Sequence, residues 1–224
     1  MCYRYLLTLD ELSRSCKFVI DFIRPQAKVL EVGCATGYVT RELKNKGCEV
    51  ICIEIDQALA ERAKIFSQEM IIGDIEDPAV LKKLDKKFDY ILFMDVLEHL
   101  KNPRTVVSAV RAYLNETGVI IANIPNIAFY QNRLEILKGR FEYTDFGFFD
   151  AGHLRFYNYK TARELLEGAG CRIEKCIPFT YFPGEFWLEK IPLLGKLLLK
   201  ITSFIKNKFP NLYGFSFMYW CRKV

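Results

Sequence analysis

The chain contains two histidines, His99 and His153, and histidine is the side chain best suited to accept a proton near neutral pH. His99 follows Glu98 directly after an apolar, strand-like run, whereas His153 lies in a segment rich in aromatic residues, charges and glycines. A base that removes the proton of an attacking hydroxyl group accelerates the reaction roughly 10²–10⁴-fold. Each histidine also has a structural interpretation: His153 organises its loop through a hydrogen bond, and His99 shapes the turn in which it lies.

A second chemical pattern is the run VLEVGCATG at residues 29–37. It combines a short apolar segment with small residues at Gly33, Ala35 and Gly37, and a helix-like segment, Tyr38 to Asn45, follows. A strand that leads through a tight turn of small residues into a helix lets a ligand lie close against the backbone. The pattern therefore predicts a binding loop at this turn.

An acidic residue on the next predicted strand indicates what the loop binds. The apolar run 50–53 ends in Glu54, about twenty residues further on, where folds of this kind place the acid that holds a ribose. The spacing argues against a dinucleotide, because the third glycine of the dinucleotide fingerprint falls where this chain has the bulky Tyr38. The sequence predicts a cofactor that contains adenosine and need not carry a pyrophosphate.

The run from Glu31 to Gly37 resembles the first motif, E/D-x-G-x-G-x-G, of class I S-adenosylmethionine-dependent methyltransferases. One position departs from the motif, because Ala35 stands where the family has its middle glycine. Alanine is tolerated there if its φ angle is negative and is strained if φ is positive. Three further segments resemble the family in the family's own order: Gly73–Ile75, Phe88–Leu100 and Gly118–Asn126.

This resemblance implies an α/β fold with a doubly wound, mostly parallel sheet of seven strands, the last of them antiparallel. It also implies S-adenosyl-L-methionine as the cofactor, with Glu31 at its amino group, Glu54 at both ribose hydroxyls and Asp74 at the adenine amino group. Asp95 either caps its loop or contacts the methionine portion. The residues that the resemblance assigns to cofactor binding are Glu31, Gly33, Cys34, Ala35, Gly37, Glu54, Ile55, Asp74, Ile75, Asp95 and Val96.

The whole chain, 1–224, is expected to form a single methyltransferase domain. Capping boxes at Thr8–Glu11 and Thr161–Glu164 predict the starts of two helices, and two late strands are predicted at 171–181 and 215–222. The expected parts are an N-terminal helix (1–25), a cofactor-binding core (28–126), an acceptor-side insertion (127–160) and a C-terminal helix, strand pair and basic amphipathic segment (161–224).

The acceptor-side insertion lies outside the cofactor framework and should therefore determine which molecule is methylated. Its P-N-x-x, G-R-F-x-Y-T-D and H-L-R-F-Y patterns resemble a subgroup of these methyltransferases found among enzymes of polysaccharide and lipid-linked glycan assembly. This implies O-methylation of a sugar or glycan-linked metabolite. Two alternatives stay open: a small-molecule or quinone-type O- or N-methyltransferase, and a non-catalytic cofactor-binding subunit that assists a partner enzyme.

Residues 185–211 carry apolar side chains at helical spacing, interrupted by lysines too often for a membrane span. One interpretation is a helix that packs against the sheet or a partner subunit. The other is a basic amphipathic helix at the surface of an anionic membrane, which would bring the enzyme to a lipid-linked acceptor. The lysines of this segment are Lys190, Lys196, Lys200, Lys206 and Lys208.

Composition and motifs exclude several other classes of function. With 224 residues, of which 51% are hydrophobic, the chain is long enough to bury a core without disulfides, and its net charge of +5 does not demand a nucleic-acid partner. Nucleic-acid methylation is further disfavoured because the predicted fourth strand ends in Asp95-Val96-Leu97-Glu98 and not in an Asn/Asp-Pro-Pro-aromatic run. The eight cysteines form no C-x-x-C pair, so no metal site is predicted. Residues 1–12 lack the apolar core of a signal peptide, so a cytoplasmic location is expected, with contact at the inner membrane face as a further option.

Overall fold

The computed structural model of the protein describes residues 14–180, 191 and 194–224. The predicted capping box at Thr8–Glu11 and part of the amphipathic segment lie outside these residues. The strands are β1 (Lys28–Val32), β2 (Glu49–Glu54), β3 (Glu69–Ile72), β4 (Phe88–Met94), β5 (Leu114–Pro125), β6 (Cys171–Thr180) and β7 (Gly214–Lys223). The helices are α1 (Arg14–Phe22), α2 (Tyr38–Asn45), α3 (Gln57–Ala63), α4 (Pro78–Leu81), α5 (Pro103–Val110), α6 (Tyr130–Leu137), α7 (Tyr159–Gly168), α8 (Leu194–Lys208) and α9 (Pro210–Tyr213).

The seven strands form one sheet in the order β3-β2-β1-β4-β5-β7-β6. The strands from β3 to β5 pair in parallel, whereas β7 runs antiparallel to both of its neighbours. The predicted fold is therefore confirmed, including the antiparallel last strand. Strand order reverses between β1 and β4, and in sheets of this type ligands bind in the crevice at the carboxyl ends of the strands on either side of that point.

The central strands are mainly apolar because helices cover both faces of the sheet. Side chains alternate along each strand, so neighbouring residues belong to two separate cores. Leu30, Ile91 and Ile120 lie in one core. Val29, Leu92 and Ile121 lie in the other. Cys48 and Cys52 are buried in this second group as small apolar side chains.

Local boundaries follow the sequence signals with one correction. Helix α2 has the predicted bounds, and β6 and β7 lie where the late strand pair was expected. The prediction that Thr161 opens the next helix is wrong: α7 begins at Tyr159, and its N-cap is Asn158. The Asn158 side chain accepts from the N–H of Thr161, while the Thr161 hydroxyl accepts from the N–H of Asn158, so Thr161 closes the capping box from the third helical position.

The acceptor-side insertion leaves the sheet and returns to it at one place. The N–H of Ile127 donates to the carbonyl of Tyr157 over 2.8 Å, and Asn126 and Tyr157 form an isolated parallel bridge. Between these two points the chain contains α6 and then an irregular stretch, and its backbone also reaches the turn after β4, where the N–H groups of Leu154 and Arg155 donate to the carbonyl of Glu98. The insertion is thus fixed over the carboxyl end of β4.

Candidate active site

The loop after β1 approaches the loop after β4 so closely that glycine is required. Gly33 has φ +70°, and a Cβ atom added to it would lie 2.7 Å from a methyl group of Val96. Gly37 has φ +76°, and its Cβ would lie 2.9 Å from that of Ala63 in α3. The small residues of the first motif therefore let the backbone pack against both neighbours, and the predicted cofactor residue Val96 forms one side of this contact.

Ala35 adopts φ +49°, the left-handed conformation that its side chain disfavours. The sequence left open whether φ at this position is negative or positive; φ is positive, so the alanine is strained. The backbone N–H of Ala35 donates to Oε2 of Glu54 over 2.8 Å, which ties the loop to the end of β2 and holds this conformation in place.

Replacing Ala35 by glycine is expected to raise the free energy of unfolding by about 0.5–1 kcal/mol. Relief of the left-handed strain is worth about 1–2 kcal/mol, and the greater entropy of glycine in the unfolded chain offsets part of it. Urea denaturation of Ala35→Gly measures the gain, and Ala109→Gly, inside α5, is a control that should lose stability. A loss of stability in Ala35→Gly would contradict this account.

Glu54, at the end of β2, is buried and its carboxylate organises the binding loop. Oε2 accepts from the N–H of Ala35, and Oε1 accepts from the N–H groups of Ile55 and Asp56 at 2.9 and 3.1 Å. A carboxylate has about four acceptor positions, so one remains for a hydroxyl group. Ile55 follows with its side chain 67% exposed, an apolar surface directly beside that acceptor.

Glu31 lies beneath the loop, only 3% exposed. Its Oε2 accepts a 2.7 Å hydrogen bond from the hydroxyl of Thr40 in α2. Burial raises the pKa of Glu31 to about 7; the hydrogen bond from Thr40 opposes this shift, and the charge of Glu54 adds to it. The carboxyl group therefore changes its charge near neutral pH, which is where a cationic amino group placed beside it would favour the ionised form.

The buried Glu31 should make stability depend on pH. Its pKa is raised from 4.5 to about 7 by folding, so the folded chain binds a proton that the unfolded chain releases, and stability falls as pH rises between these values. We expect the wild-type protein to lose on the order of 3 kcal/mol relative to Glu31→Gln over this range. Urea titrations of both proteins between pH 4.5 and 7.5 measure it, and parallel curves would contradict it.

Three other predicted cofactor residues differ in how they are placed. Asp74 lies after β3, and its Oδ1 accepts from the N–H of Glu76 over 2.8 Å, as in a turn. The side chain of Ile75 is 6% exposed and belongs to the core beneath α4 and α5, while that of Cys34 is 1% exposed and belongs to the opposite core. Cys34 can therefore meet a ligand only through its backbone.

A cavity of about 410 Å³ joins the loop after β1 to the acceptor-side insertion. Gly33, Ala35 and Asp95 line one part of it, and Phe146 and Phe148 of the insertion line another. Its volume falls in the range of about 300–1,000 Å³ that is usual for small-molecule sites. Asp95 has φ +57°, and its Oδ1 accepts a 2.6 Å hydrogen bond from the side-chain amide of Asn123 on β5, which fixes the carboxylate at the cavity wall.

Both histidines meet at this cavity, together with one buried acid. We call Glu98, His99 and His153 the Glu-His-His cluster; one ligand atom of each lies within 4.8 Å of those of the other two. The imidazole rings of the two histidines are in edge-to-face contact, 4.7 Å between centroids, and Nε2 of His153 lies 3.9 Å from Oε1 of Glu98. The sequence placed the two histidines near a reactive centre separately, and the structure brings them side by side.

The environment of the cluster shifts two pKa values. Burial raises the pKa of Glu98 well above its ordinary value, and the neighbouring charges of Asp95 and Asp150 add to this. Burial, followed by the proximity of His99, lowers the pKa of His153, against a hydrogen bond to Phe148 and the charge of Asp150. His153 is therefore neutral near pH 7, with a nitrogen lone pair available.

Sequence reasoning missed Glu98 as a site residue. The side chain is 1% exposed, and neither of its oxygens has a hydrogen-bond partner. The local signal was present, since an acid followed by a histidine stands directly after an apolar strand. What the sequence cannot show is that the fold buries this acid and brings His153 to it from the insertion.

Comparison with known proteins decides the family. A family model described as a methyltransferase domain matches residues 5–175 of the chain. The chain belongs to this methyltransferase family.

Two relatives carry the same name, ubiquinone biosynthesis O-methyltransferase. That of Histophilus somni is 29% identical over 54% of this chain and 57% of its own length, and that of Coxiella burnetii is 22% identical over 72% and 71%. The methyltransferase thus spans little more than half of the first relative.

Solved structures share the fold across almost the whole methyltransferase. A SAM-dependent methyltransferase from Archaeoglobus fulgidus aligns with a TM-score of 0.68 at 18% identity, over 96% of this chain and 95% of that one. Magnesium protoporphyrin IX methyltransferase from Synechocystis, solved with bound SAH, aligns with a TM-score of 0.61 at 15% identity, over 94% and 83%. The chain of this methyltransferase-domain family therefore shares its fold with these S-adenosylmethionine-dependent enzymes.

The observed residues fit S-adenosylmethionine. The crevice at the switch between β1 and β4 lies beside the loop after β1, and Gly33 and Ala35 of this loop line the cavity. One acceptor position of Glu54 remains for a ribose hydroxyl, and the exposed Ile55 offers an apolar surface beside it. Loop, acid and apolar side chain are the three features that a nucleoside requires.

Proposed function

We propose that the protein O-methylates a hydroxyl group on an aromatic, quinone-type acceptor. The observation that carries this proposal is the single cavity shared by the cofactor loop, the Glu-His-His cluster and the aromatic side chains Phe146 and Phe148. A phenolic ring fits between such aromatic walls, with its hydroxyl toward the cluster. The name of the relatives, ubiquinone biosynthesis O-methyltransferase, supports the same acceptor class.

The roles of the cofactor residues belong to this proposal. When bound, S-adenosylmethionine supplies an electrophilic methyl group whose sulfur keeps the bonding electrons after transfer. Glu54 accepts a hydrogen bond from the ribose, Ile55 packs on the nucleoside, and Asp74 accepts from the adenine amino group. Glu31 provides negative charge beneath the amino group of the methionine portion, and Asp95 lies at the cavity wall on the same side. These residues fix the donor, and positioning of this kind supplies up to about 7–11 kcal/mol of the barrier.

The acceptor side of the cavity prepares the hydroxyl oxygen. The Glu-His-His cluster offers the unprotonated imidazole nitrogen of His153, which favours loss of the hydroxyl proton as the oxygen attacks. Phe146 and Phe148 line the cavity and offer aromatic surface to the ring. The glycan acceptor suggested by the insertion's sequence pattern stays a prediction.

Transfer of a labelled methyl group tests the acceptor class. The protein is incubated with methyl-labelled S-adenosylmethionine and either catechol-type phenols or lipid-linked and free oligosaccharides, and the products are separated. We expect label on the phenolic oxygen. Label on a sugar oxygen would overturn the quinone-type acceptor and favour the glycan prediction, and label on nitrogen would overturn O-methylation.

A lipid portion on the acceptor would agree with the surface of α8, and we propose that this helix contacts an anionic membrane. Leu197, Ile201 and Phe204 are all exposed on it, while Lys200 and Lys208 are exposed nearby. Among the described helices, none is long and apolar enough to cross a bilayer. Co-sedimentation with anionic vesicles should fall several-fold in Phe204→Glu, and equal sedimentation of both proteins would contradict membrane contact through this helix.

A further inference from the structure

The Glu-His-His cluster has the composition and arrangement of a metal site. Glu98, His99 and His153 each present a ligand atom within 4.8 Å of the other two. Two ligands bound to one zinc ion at about 2.0–2.2 Å lie at most about 4.4 Å apart, so small rotations of the side chains are enough to bring all three to one ion. Two imidazoles and a carboxylate are a ligand set that proteins use for catalytic zinc.

Both histidines are held in the orientation that metal ligands require. Nδ1 of His99 lies 3.0 Å from the carbonyl of Gly152, and Nδ1 of His153 lies 3.2 Å from that of Phe148. A carbonyl oxygen can only accept, so in the neutral form of each ring Nδ1 carries the proton and Nε2 keeps the lone pair. A backbone carbonyl on the second ring nitrogen is the usual support of a metal-binding histidine.

The burial of Glu98 is a second observation, independent of the histidines, that indicates a bound cation. Its carboxylate lines the cavity, is 1% exposed, and neither oxygen has a hydrogen-bond donor. Buried carboxylates are expensive unless they are paired or bind a metal. Asp95 and Asp150 line the same cavity, and among its described lining residues there is no lysine or arginine. A cation bound beside Glu98 would stabilise the ionised form of this acid and supply the missing partner.

We propose that Glu98, His99 and His153 bind a divalent transition-metal cation, with Zn²⁺ as the ion that this ligand set fits best. Imidazole nitrogen disfavours Mg²⁺ and Ca²⁺, which prefer oxygen ligands. The cluster lines the wall of the cavity assigned to the acceptor. An ion held there would polarise the acceptor oxygen and lower the pKa of its hydroxyl group. That role rests on the proposed O-methylation, whereas binding of the ion does not. The inference reverses the expectation of no metal, which considered only the cysteines.

Ion uptake in the absence of cofactor and acceptor tests the site. Metal-free protein is titrated with Zn²⁺ by calorimetry, and the bound ion is counted by mass spectrometry. We expect one ion per chain in the wild type and at least about a tenfold loss of affinity in Glu98→Gln and His153→Ala. Glu142→Gln, an exposed acid of the same insertion, is the matched control and should bind as the wild type does.

Two further measurements separate this proposal from others. The absorption spectrum of bound Co²⁺ should show nitrogen and oxygen ligands; a thiolate spectrum would assign the ion to the cysteines and overturn the site. Binding of S-adenosylhomocysteine, measured in the same samples, reports on the cofactor pocket separately. Wild-type protein that binds S-adenosylhomocysteine but takes up no ion would overturn the metal proposal and leave the proposed function standing. Uptake unaffected by Glu98→Gln would also overturn it.

Discussion

Glu54→Ala should reduce the affinity for S-adenosylhomocysteine at least about 100-fold. The substitution removes the ribose acceptor, and a hydrogen bond to a charged group contributes about 1.5–3 kcal/mol. It also releases the N–H of Ala35, which the carboxylate holds at 2.8 Å while that residue stays in a left-handed conformation. The loop is therefore expected to lose its binding shape together with its ribose contact. Isothermal calorimetry with S-adenosylhomocysteine measures the change.

Two further variants make this result interpretable. Glu54→Gln keeps an oxygen that can accept from the loop but loses the charge, so its affinity should lie between those of the wild type and Glu54→Ala. Glu49→Ala changes an exposed acid at the start of the same strand and should leave binding as it is. If folded Glu54→Ala binds S-adenosylhomocysteine as tightly as the wild type, the assignment of the cofactor to this crevice is wrong.

His153→Ala should lower kcat roughly 10²–10⁴-fold while binding of S-adenosylhomocysteine changes less than about twofold. The imidazole lies beside Glu98 and His99 on the acceptor side of the cavity, away from Glu54 and the loop it supports. The loss is expected whether Nε2 acts directly on the acceptor's proton or through the bound ion. Single-turnover methyl transfer at saturating donor measures it.

The control for His153 is Tyr143→Ala, which truncates an exposed side chain of the same insertion. It should retain wild-type kcat, which shows that disturbing the insertion is not sufficient to stop turnover. Unchanged turnover in His153→Ala would dismiss a chemical role for this histidine and leave the structural interpretation, in which its ring only holds the carbonyl of Phe148.

Much of the fold can be predicted from the sequence because the central strands are buried on both faces. Continuous apolar runs such as 50–53 and 90–94 have no helical period, and each ends at an acidic residue. The bounds of helix α2 were predicted correctly for a different reason: a glycine precedes the helix and another follows it closely. The start of α7 was misplaced because both Asn158 and Thr161 have side chains that cap helices, and only the backbone decides between them.

The site divides in a similar way. The residues of the cofactor loop are neighbours in sequence, so a motif reveals them together. The Glu-His-His cluster joins a turn after β4 to a residue more than fifty positions later, and its defining property is the burial of Glu98 without a partner. The spacing of residues along the sequence shows neither that His153 lies close to Glu98 nor that Glu98 is buried. Ile75 and Cys34 are predicted cofactor residues that the fold buries, and a motif position alone does not say whether the side chain or the backbone faces the ligand.

The hydrogen bond between Ile127 and Tyr157 has a consequence for how this enzyme can diversify. The segment between these two residues leaves the sheet and returns to it at adjacent points. Segments of other lengths can therefore replace it at little cost in loop-closure entropy. The methyl donor site would survive such grafts intact. Swapping this one excursion between homologous enzymes is therefore a direct route to redirecting the methyl group toward a different molecule.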